Sequence, residues 1–353
     1  MIFEKNGIKV EIVLKSINTL NGAKMMALRC RYPRIIHAEV KTHSQLKTNS
    51  ASSRAVPVKA MNESILNDIA MPVRFGANQG GMQDKGVEHD GRVYHPSHMV
   101  NFNGRNAWQV VADEAVGWSD ALDEAGYHKQ VCNRLTEPFQ WMNVVMSGSE
   151  WANFLWLRCD EDADPTLQVL ADLCLQAYLH DSWDELGEGD WHLPFVYYRR
   201  DENGKQQFYT YEMDCSDSHT NGYQYEVALT LEEAQLVSMS VAAQASFRKA
   251  DATLEKALKI KDKLFGGRKV HASPSEHQAK VVRDPYIWPC EETDYPSCTD
   301  LYDMPDGITH ITKDGRYGSG NLIGWIQLRQ LIDNNYQSNM GAVIAELTSS
   351  QQE

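Results

Sequence analysis

Three polar segments hold the side chains whose types and spacing could do chemistry. The first, THSQLKTNSASSRA (Thr42 to Ala55), gathers His43, Asn49, Ser52 and Arg54. The second, Cys132 to Pro165, carries Arg134 in CNRL and then Asn153 and Arg158 in SEWANFLWLRCDEDADP. Five residues are about 140° on a helix, so Asn153 and Arg158 would flank two ligands, or two ends of one, rather than clamp a single group. The third, HASPSEHQA (His271 to Ala279), sets two histidines around Pro274 with Ser273, Ser275 and Glu276. Guanidinium groups present a planar fork suited to phosphate and to pyrimidine carbonyls. By composition alone each segment also has a plain reading. The first is a capped, solvated helix start. The second is a surface Asn with an Arg paired to Asp160 or Asp162. The third is a tight polar turn after a helix stopped by Gly266 and Gly267.

Generic motifs are absent: there is no GxGxxG, Walker A or GxSxG, and GANQGG lacks phosphate-loop spacing. His95 with His98, and Cys215 with His219, lack companions at metal-ligand spacing and read as loop residues. The seven cysteines are scattered without a CxxC, which points to free thiols rather than a disulfide framework. Across 353 residues the net charge is −14, and no basic run offsets it, so polymeric nucleic acid is an unfavourable partner. A small anion held by two or three arginines remains compatible. No stretch approaches the ~18 apolar residues of a membrane span. The N-terminus alternates like a strand and lacks signal-peptide features, so a cytoplasmic location is expected.

The elements that must position these segments follow from periodicity. IKVEIVL, MALRC and RIIHAEV read as strands, MNESILNDIAM as a short helix, and Asn78 to Gly104 as a loop. Ala107 to Ala125 reads as a helix with Trp108, Val111, Ala115 and Trp118 on its apolar face. Ser147 to Glu150 has capping-box spacing ahead of a helix running to Arg158. Pro165 opens another helix, with Leu167, Leu170, Leu173, Cys174 and Ala177 on one face. Asn203-Gly204 marks a hairpin. Helices are expected over Leu229 to Ala242 and Asp251 to Leu264. The mixture of long helices and antiparallel-type strands predicts an α+β fold. One catalytic domain is expected over 1–283, with a connecting hairpin and helix region at 181–235. An irregular insertion or lid followed by a C-terminal helix is expected over 284–353.

Taken together the segments resemble a known family. HASPSEH resembles the H-x-[ST]-P-F-E-H flavin motif of flavin-dependent thymidylate synthases. THSQLKTNSASSRA resembles the family's R-H-R signature, followed after seven residues by S-x-R. SEWANFLWLRCDEDADP resembles its N-A-R-S-L-M-N-F-L-x-L-R helix, and VAAQASF its A-R-V-S strand. The last strand and the HASPSEH segment follow the R-H-R region instead of preceding it, so the chain resembles long, circularly permuted, phage-type members. Several positions depart from the pattern: Thr42 and Ser44 stand for the two arginines of R-H-R, Gln244 for that of A-R-V-S, and Ser275 for the Phe of S-P-F-E-H.

The resemblance implies a thymidylate-synthase-complementing-protein-like fold and reductive methylation of dUMP at C5. FAD, NADPH and 5,10-methylenetetrahydrofolate would be the cofactors, and a homotetramer the assembly. It implies that His43, Asn153, Ser246, Ser273 and Glu276 contact the flavin, with His271 beside its ring. Glu39, Ser52, Arg54, Arg134 and Arg158 would hold the nucleotide, and Arg54, Ser52 and His271 would form the catalytic set. No cysteine nucleophile is implied. Hydroxymethylation of dUMP or dCMP, and a flavin-free nucleotide-binding relative, stay open as alternatives.

Overall fold

The computed structural model describes every residue except 82, 85, 97–99, 215–222, 246–249, 267–269, 286–303, 334, 336–339, 342–343 and 345–353. It comprises two units: Met1–Ile17, Ala23–Glu185 and Ala242–Asp251 form one, and Asn18–Gly22, Leu186–Val241 and Ala252–Glu353 the other. This replaces the boundary expected at 283/284. The strand Ala279–Val281 pairs with Trp325–Gln327, so one ladder ties together residues on both sides of that point.

The first unit is built on an antiparallel sheet, ordered β1-β2-β3-β7-β4. Its strands are β1 (Ile2–Lys5), β2 (Ile8–Asn18), β3 (Lys24–Pro33), β4 (Lys47–Ser50) and β7 (Trp141–Gly148). Strands β5 (Val93–His95) and β6 (Val100–Phe102) form a separate hairpin, and β8 (Asp184–Leu186) joins β2. Alternate residues of the central strands point to one face: Met26, Leu28, Cys30 and Tyr32 from β3, and Met142, Val144 and Met146 from β7.

The helices of this unit are α1 (His37–Val40), α2 (Val58–Asn67), α3 (Gly104–Glu124), α4 (Lys129–Leu135), α5 (Ala152–Arg158) and α6 (Pro165–Leu179). The face just described is covered by Leu167, Leu170, Leu173, Cys174 and Ala177 of α6, the stripe expected from the sequence, and by Phe154 of α5. Asp164 caps α6 by accepting from the amides of Thr166 and Leu167. At the other end Lys15, fully buried in β2, donates to the carbonyls of Ala177, Tyr178 and His180.

Four local expectations are corrected. RIIHAEV is not a strand: β3 ends at Pro33, which has no N–H to donate, and Arg34–Ile36 with α1 form helical turns. Ile36 and Val40, four apart, are the residues this segment buries. Residues 42–55 are no helix start but turns around edge strand β4, which pairs with β7. Ser147 lies buried in β7 rather than capping a helix, and the N-cap of α5 is Trp151. Finally, α3 buries Ala112, Val116 and Ser119, while Val111 and Trp118 of the expected apolar face lie exposed.

The second unit contains β9 (Trp191–His192), β10 (Tyr197–Arg200), β11 (Gln206–Asp214), β12 (Tyr223–Leu229), β13 (Ala279–Val281), β14 (His310–Ile311), β15 (Tyr317–Ser319), β16 (Leu322–Ile323) and β17 (Trp325–Gln327). They make three small sheets, β10-β11-β12, β17-β13-β9 and β14-β15-β16. The expected hairpin joins β10 to β11, with Gly204 at φ +76° in its turn. Helix α7 (Leu231–Ala243) has Thr230 and Glu233 in a reciprocal capping box, and α8 (Leu254–Phe265) is capped by Thr253. Helices and antiparallel strands together make the fold α+β. Among the described residues no helix is long and apolar enough to cross a membrane.

Candidate functional site

Seven of the motif residues fall in the first unit, on elements that follow one another through hydrogen bonds. His43 sits in the turns between α1 and β4, buried at 8% exposure. Its amide donates to the carbonyl of Val40, and its own carbonyl accepts from Leu46. The turn passes close over β7: a Cβ on Gly148 would come within 2.8 Å of Leu46 and 3.1 Å of the Gln45 carbonyl, so glycine there permits the approach. The His43 ring meets the edge of Phe154 at 5.0 Å, and its Nε2 accepts from Arg158 Nε at 2.9 Å. That bond requires an unprotonated Nε2. Burial first, and then the Arg158 cation, lower the His43 pKa, which keeps the acceptor available. Arg158, half-buried at the end of α5, is thereby aimed by a neutral group. Exposed Glu39 lies within its field. Burial and Asp164 raise the Glu39 pKa while Arg158 opposes them.

Strand β4 carries the chain from His43 to the 51–56 loop with Ser52 and Arg54. The Ala51 amide donates to the Asn143 carbonyl, and the Arg54 amide to Ser52 Oγ at 3.3 Å. Arg54 and Arg134, the latter in α4, are exposed, Ser52 is half-buried, and Asn153 is exposed on α5. His37 was passed over in the sequence because RIIHAEV reads as a strand. Its ring bridges Tyr32 Oη at 2.9 Å and Ser50 Oγ at 3.3 Å, so it ties β3 to β4. Burial, with Lys41 and Arg34 adding to it, lowers its pKa to about 4.

Ion pairing separates the arginines of this unit into two groups. Arg29, Arg31, Arg34, Arg74 and Arg105 each meet a carboxylate. Arg54, Arg92, Arg134 and Arg158 form no ion pair with any described carboxylate. Three of these four are the motif arginines, in a chain with 48 acidic residues against 34 basic ones.

The third motif falls in the second unit. His271 and Ser273 are exposed, whereas Ser275, Glu276, His277 and Gln278 are buried. Ser275 Oγ donates to the Ala272 carbonyl at 2.5 Å, and Glu276 pairs with Arg329 at 2.6 Å. The Glu276 carbonyl also accepts from Gln327 Nε2 at 3.1 Å. Ser246 lies outside the described residues. Gln244, which stands where the family motif has Arg, is buried; it donates to the Asp251 carbonyl and accepts from the Asp251 amide, closing the loop between them. Among the described residues no group of three or more His, Cys, Asp or Glu is arranged to hold a metal ion.

No family model and no curated protein matches the chain. Among solved structures, it is similar to the UMP/dUMP methylase PolB from Streptomyces cacaoi, crystallised with 5-Br dUMP, at 12% identity and a TM-score of 0.35. The likeness covers 49% of this chain and 90% of that one. That protein's substrate is its own, and the reading below stands on this chain's residues.

Proposed function

We propose that this chain is a flavin-dependent thymidylate synthase-like enzyme that methylates dUMP at C5, using methylenetetrahydrofolate, FAD and NADPH. The observation that carries the reading is the set of motif arginines, Arg54, Arg134 and Arg158, without ion pairs to described carboxylates in an acidic chain. A cation that forms no ion pair inside the protein supports an anionic ligand, and the fork of a guanidinium suits a phosphate or the oxygens of a pyrimidine. In this reading the arginines hold the phosphate and stabilise the charge that develops on the ring oxygen as C5 is activated. Ser52 positions the ring, and His43 keeps Arg158 oriented by accepting from its Nε.

The donor set fits a flavin dinucleotide in part. Asn153 in the first unit is exposed and offers a hydrogen bond to such a ligand, and in the second unit, taken by itself, so do exposed His271 and Ser273. Thr42 Oγ1 and Glu276 are engaged within the protein, by the Glu39 carbonyl and by Arg329. When bound, the flavin supplies hydride and the folate the one-carbon unit. The four described thiols support a route without a cysteine nucleophile among them: Cys30, Cys132 and Cys174 are buried, and burial, with Asp172 beside it, pushes the Cys159 thiol up to about 11.

The test is the visible spectrum of the purified protein after incubation with FAD and desalting, followed by dUMP-dependent NADPH oxidation and mass spectrometry of the product. A retained, dUMP-perturbed flavin band and a methylated product are expected. Absence of flavin binding at any FAD concentration overturns the reading in favour of a flavin-free nucleotide-binding protein, and a product heavier by one oxygen identifies hydroxymethylation.

A further inference from the structure

We propose that Asn133 is a positioning residue: it locks the 51–56 loop onto helix α4, so that the backbones carrying Arg54 and the adjacent Arg134 are held in one arrangement before a ligand binds. This rests on the nucleotide-binding reading above.

Asn133 has no exposed surface. Its Nδ2 donates to the carbonyls of Ser53 at 2.7 Å and Val56 at 3.0 Å, so one amide group straddles Arg54. Its backbone carbonyl is held in turn by Thr136 Oγ1 at 3.1 Å and Gln140 Nε2 at 2.9 Å, both buried. The orientation of the amide is determined: turned over, it would aim its oxygen at two carbonyl oxygens and lose both bonds.

Two further contacts reach the same loop. Ser53 Oγ donates to Glu137 Oε1 at 2.9 Å, and that oxygen also meets Arg34 at 2.8 Å. Lys129 Nζ donates to the Ala55 carbonyl at 3.3 Å. Within the loop the backbone makes one short-range bond, from the Ala55 amide to the Ser52 carbonyl. The side-chain clamps therefore supply most of its order, and a loop ordered before binding spends less of its binding free energy on ordering. Arg134 follows Asn133 directly in sequence, so the clamp that fixes the loop also fixes the separation between the backbones that carry Arg54 and Arg134.

The experiment compares Asn133→Ala with Asn62→Ala in the full-length chain. Asn62 is a comparison residue: a buried amide whose Nδ2 donates to Asp120 Oδ1 at 2.7 Å in the α2–α3 contact, with no hydrogen bond to the 51–56 loop among the described residues. The first readout needs no nucleotide: the rate of tryptic cleavage after Arg54 under native conditions. The second is the split between KM for dUMP and kcat. Asn133→Ala is expected to raise both the cleavage rate and KM about tenfold, with kcat changed about threefold or less, as for two lost hydrogen bonds to a loop. Asn62→Ala should leave both readouts at the wild-type level. Cleavage no faster in Asn133→Ala than in Asn62→Ala overturns the clamp. Faster cleavage with an unchanged KM overturns the positioning role. A wild-type chain without dUMP turnover removes the functional reading, while the cleavage readout still decides the clamp. If Asn133→Ala fails to fold, Asn133→Asp keeps the size of the side chain but replaces the donor Nδ2 with an acceptor. It should raise cleavage and KM at least as much as Asn133→Ala was expected to, and no change in either would overturn the proposal.

Discussion

The motif segments of the two units look alike in sequence, since both are runs of His, Ser and charged residues, yet the protein uses them differently. In the first unit the motif arginines form no ion pair with a described carboxylate: the His43 imidazole accepts from Arg158, and the Asn133 amide, with Glu137 and Lys129, holds the loop of Arg54. In the second unit Glu276 is paired with Arg329, and Ser275, His277 and Gln278 are buried beside it, so only His271 and Ser273 face outward. In the proposed reading, charge left over belongs to a segment that meets a ligand, whereas charge neutralised inside belongs to one that holds the fold. A buried pair is retained because breaking it costs more than it contributed.

The sharpest way to break this comparison is to remove one charge from each side. Arg158→Ala should weaken dUMP binding by about 10- to 100-fold, the loss of a charge-assisted contact of about 1.5–3 kcal/mol. Arg158→Lys should recover only part of it, because an ammonium is a point charge without the fork. Glu276→Gln should leave dUMP affinity within about twofold but lower unfolding stability by about 2 kcal/mol. That is less than the ~3–5 kcal/mol of a fully buried pair, because Arg329 keeps some contact with water. Calorimetric titration and urea unfolding of both variants decide the matter. Unchanged dUMP affinity in Arg158→Ala would erase the distinction.

Acid acts on the stability of both units, and on binding in the first. Burial first, and then the neighbouring His277, lower the pKa of His192 from 6.5 to about 3. A histidine whose folded pKa is depressed contributes stability fully above its unfolded value and loses it as pH falls toward the folded one. Unfolding free energy should therefore be flat above about pH 7 and fall below pH 6.5. The limit is about 1.4 kcal/mol per pH unit for each such imidazole. His37, lowered to about 4, adds to the same slope. His192→Gln should reduce the slope between pH 6 and 4 by about one proton. In the first unit the same acidification acts on binding: protonating His43 removes the acceptor that orients Arg158, so dUMP affinity should fall with pH. A His43→Gln variant that keeps an acceptor oxygen should flatten that dependence.

What the sequence disclosed depended on whether neighbours along the chain decide the outcome. Helix α6 was legible because Pro165, Asp164 and a continuous Leu/Cys/Ala stripe all act locally, and the β10–β11 hairpin because Asn203-Gly204 sets its own turn. The capping-box spacing at Ser147–Glu150 misled because β3 and β4, distant in sequence, draw Ser147 into a central strand. Thr230–Glu233 has the same spacing without such competition and does cap its helix. RIIHAEV reads as a strand from its own residues, but Pro33 ends the ladder ahead of it and the segment turns helical. His43, Ser52, Arg54, Arg134 and Arg158 were singled out by a family resemblance, since composition alone favoured a solvated surface. Asn133 gave no signal, because a buried clamp and a surface amide are the same letter, and its partners lie 77 and 80 residues away.

The smallest expected effect tests the boundary inside the third motif, where Ser273 and Ser275 sit two residues apart with opposite surroundings. Ser275→Ala deletes a buried hydroxyl, but the Ala272 carbonyl it donates to also accepts the Ser275 amide at 3.0 Å. No acceptor is orphaned, so the cost should stay near 0.5 kcal/mol, the low end for a hydrogen bond. Ser273→Ala alters an exposed side chain and should stay within about ±0.5 kcal/mol in stability. Stability thus scarcely distinguishes the two, and ligand binding must. A fall in retained flavin absorbance in Ser273→Ala, but not in Ser275→Ala, would show that the outward half of the motif meets a ligand while the inward half shapes the turn. Equal retention in both would make the whole segment scaffold, and would confine ligand recognition to the arginines of the first unit.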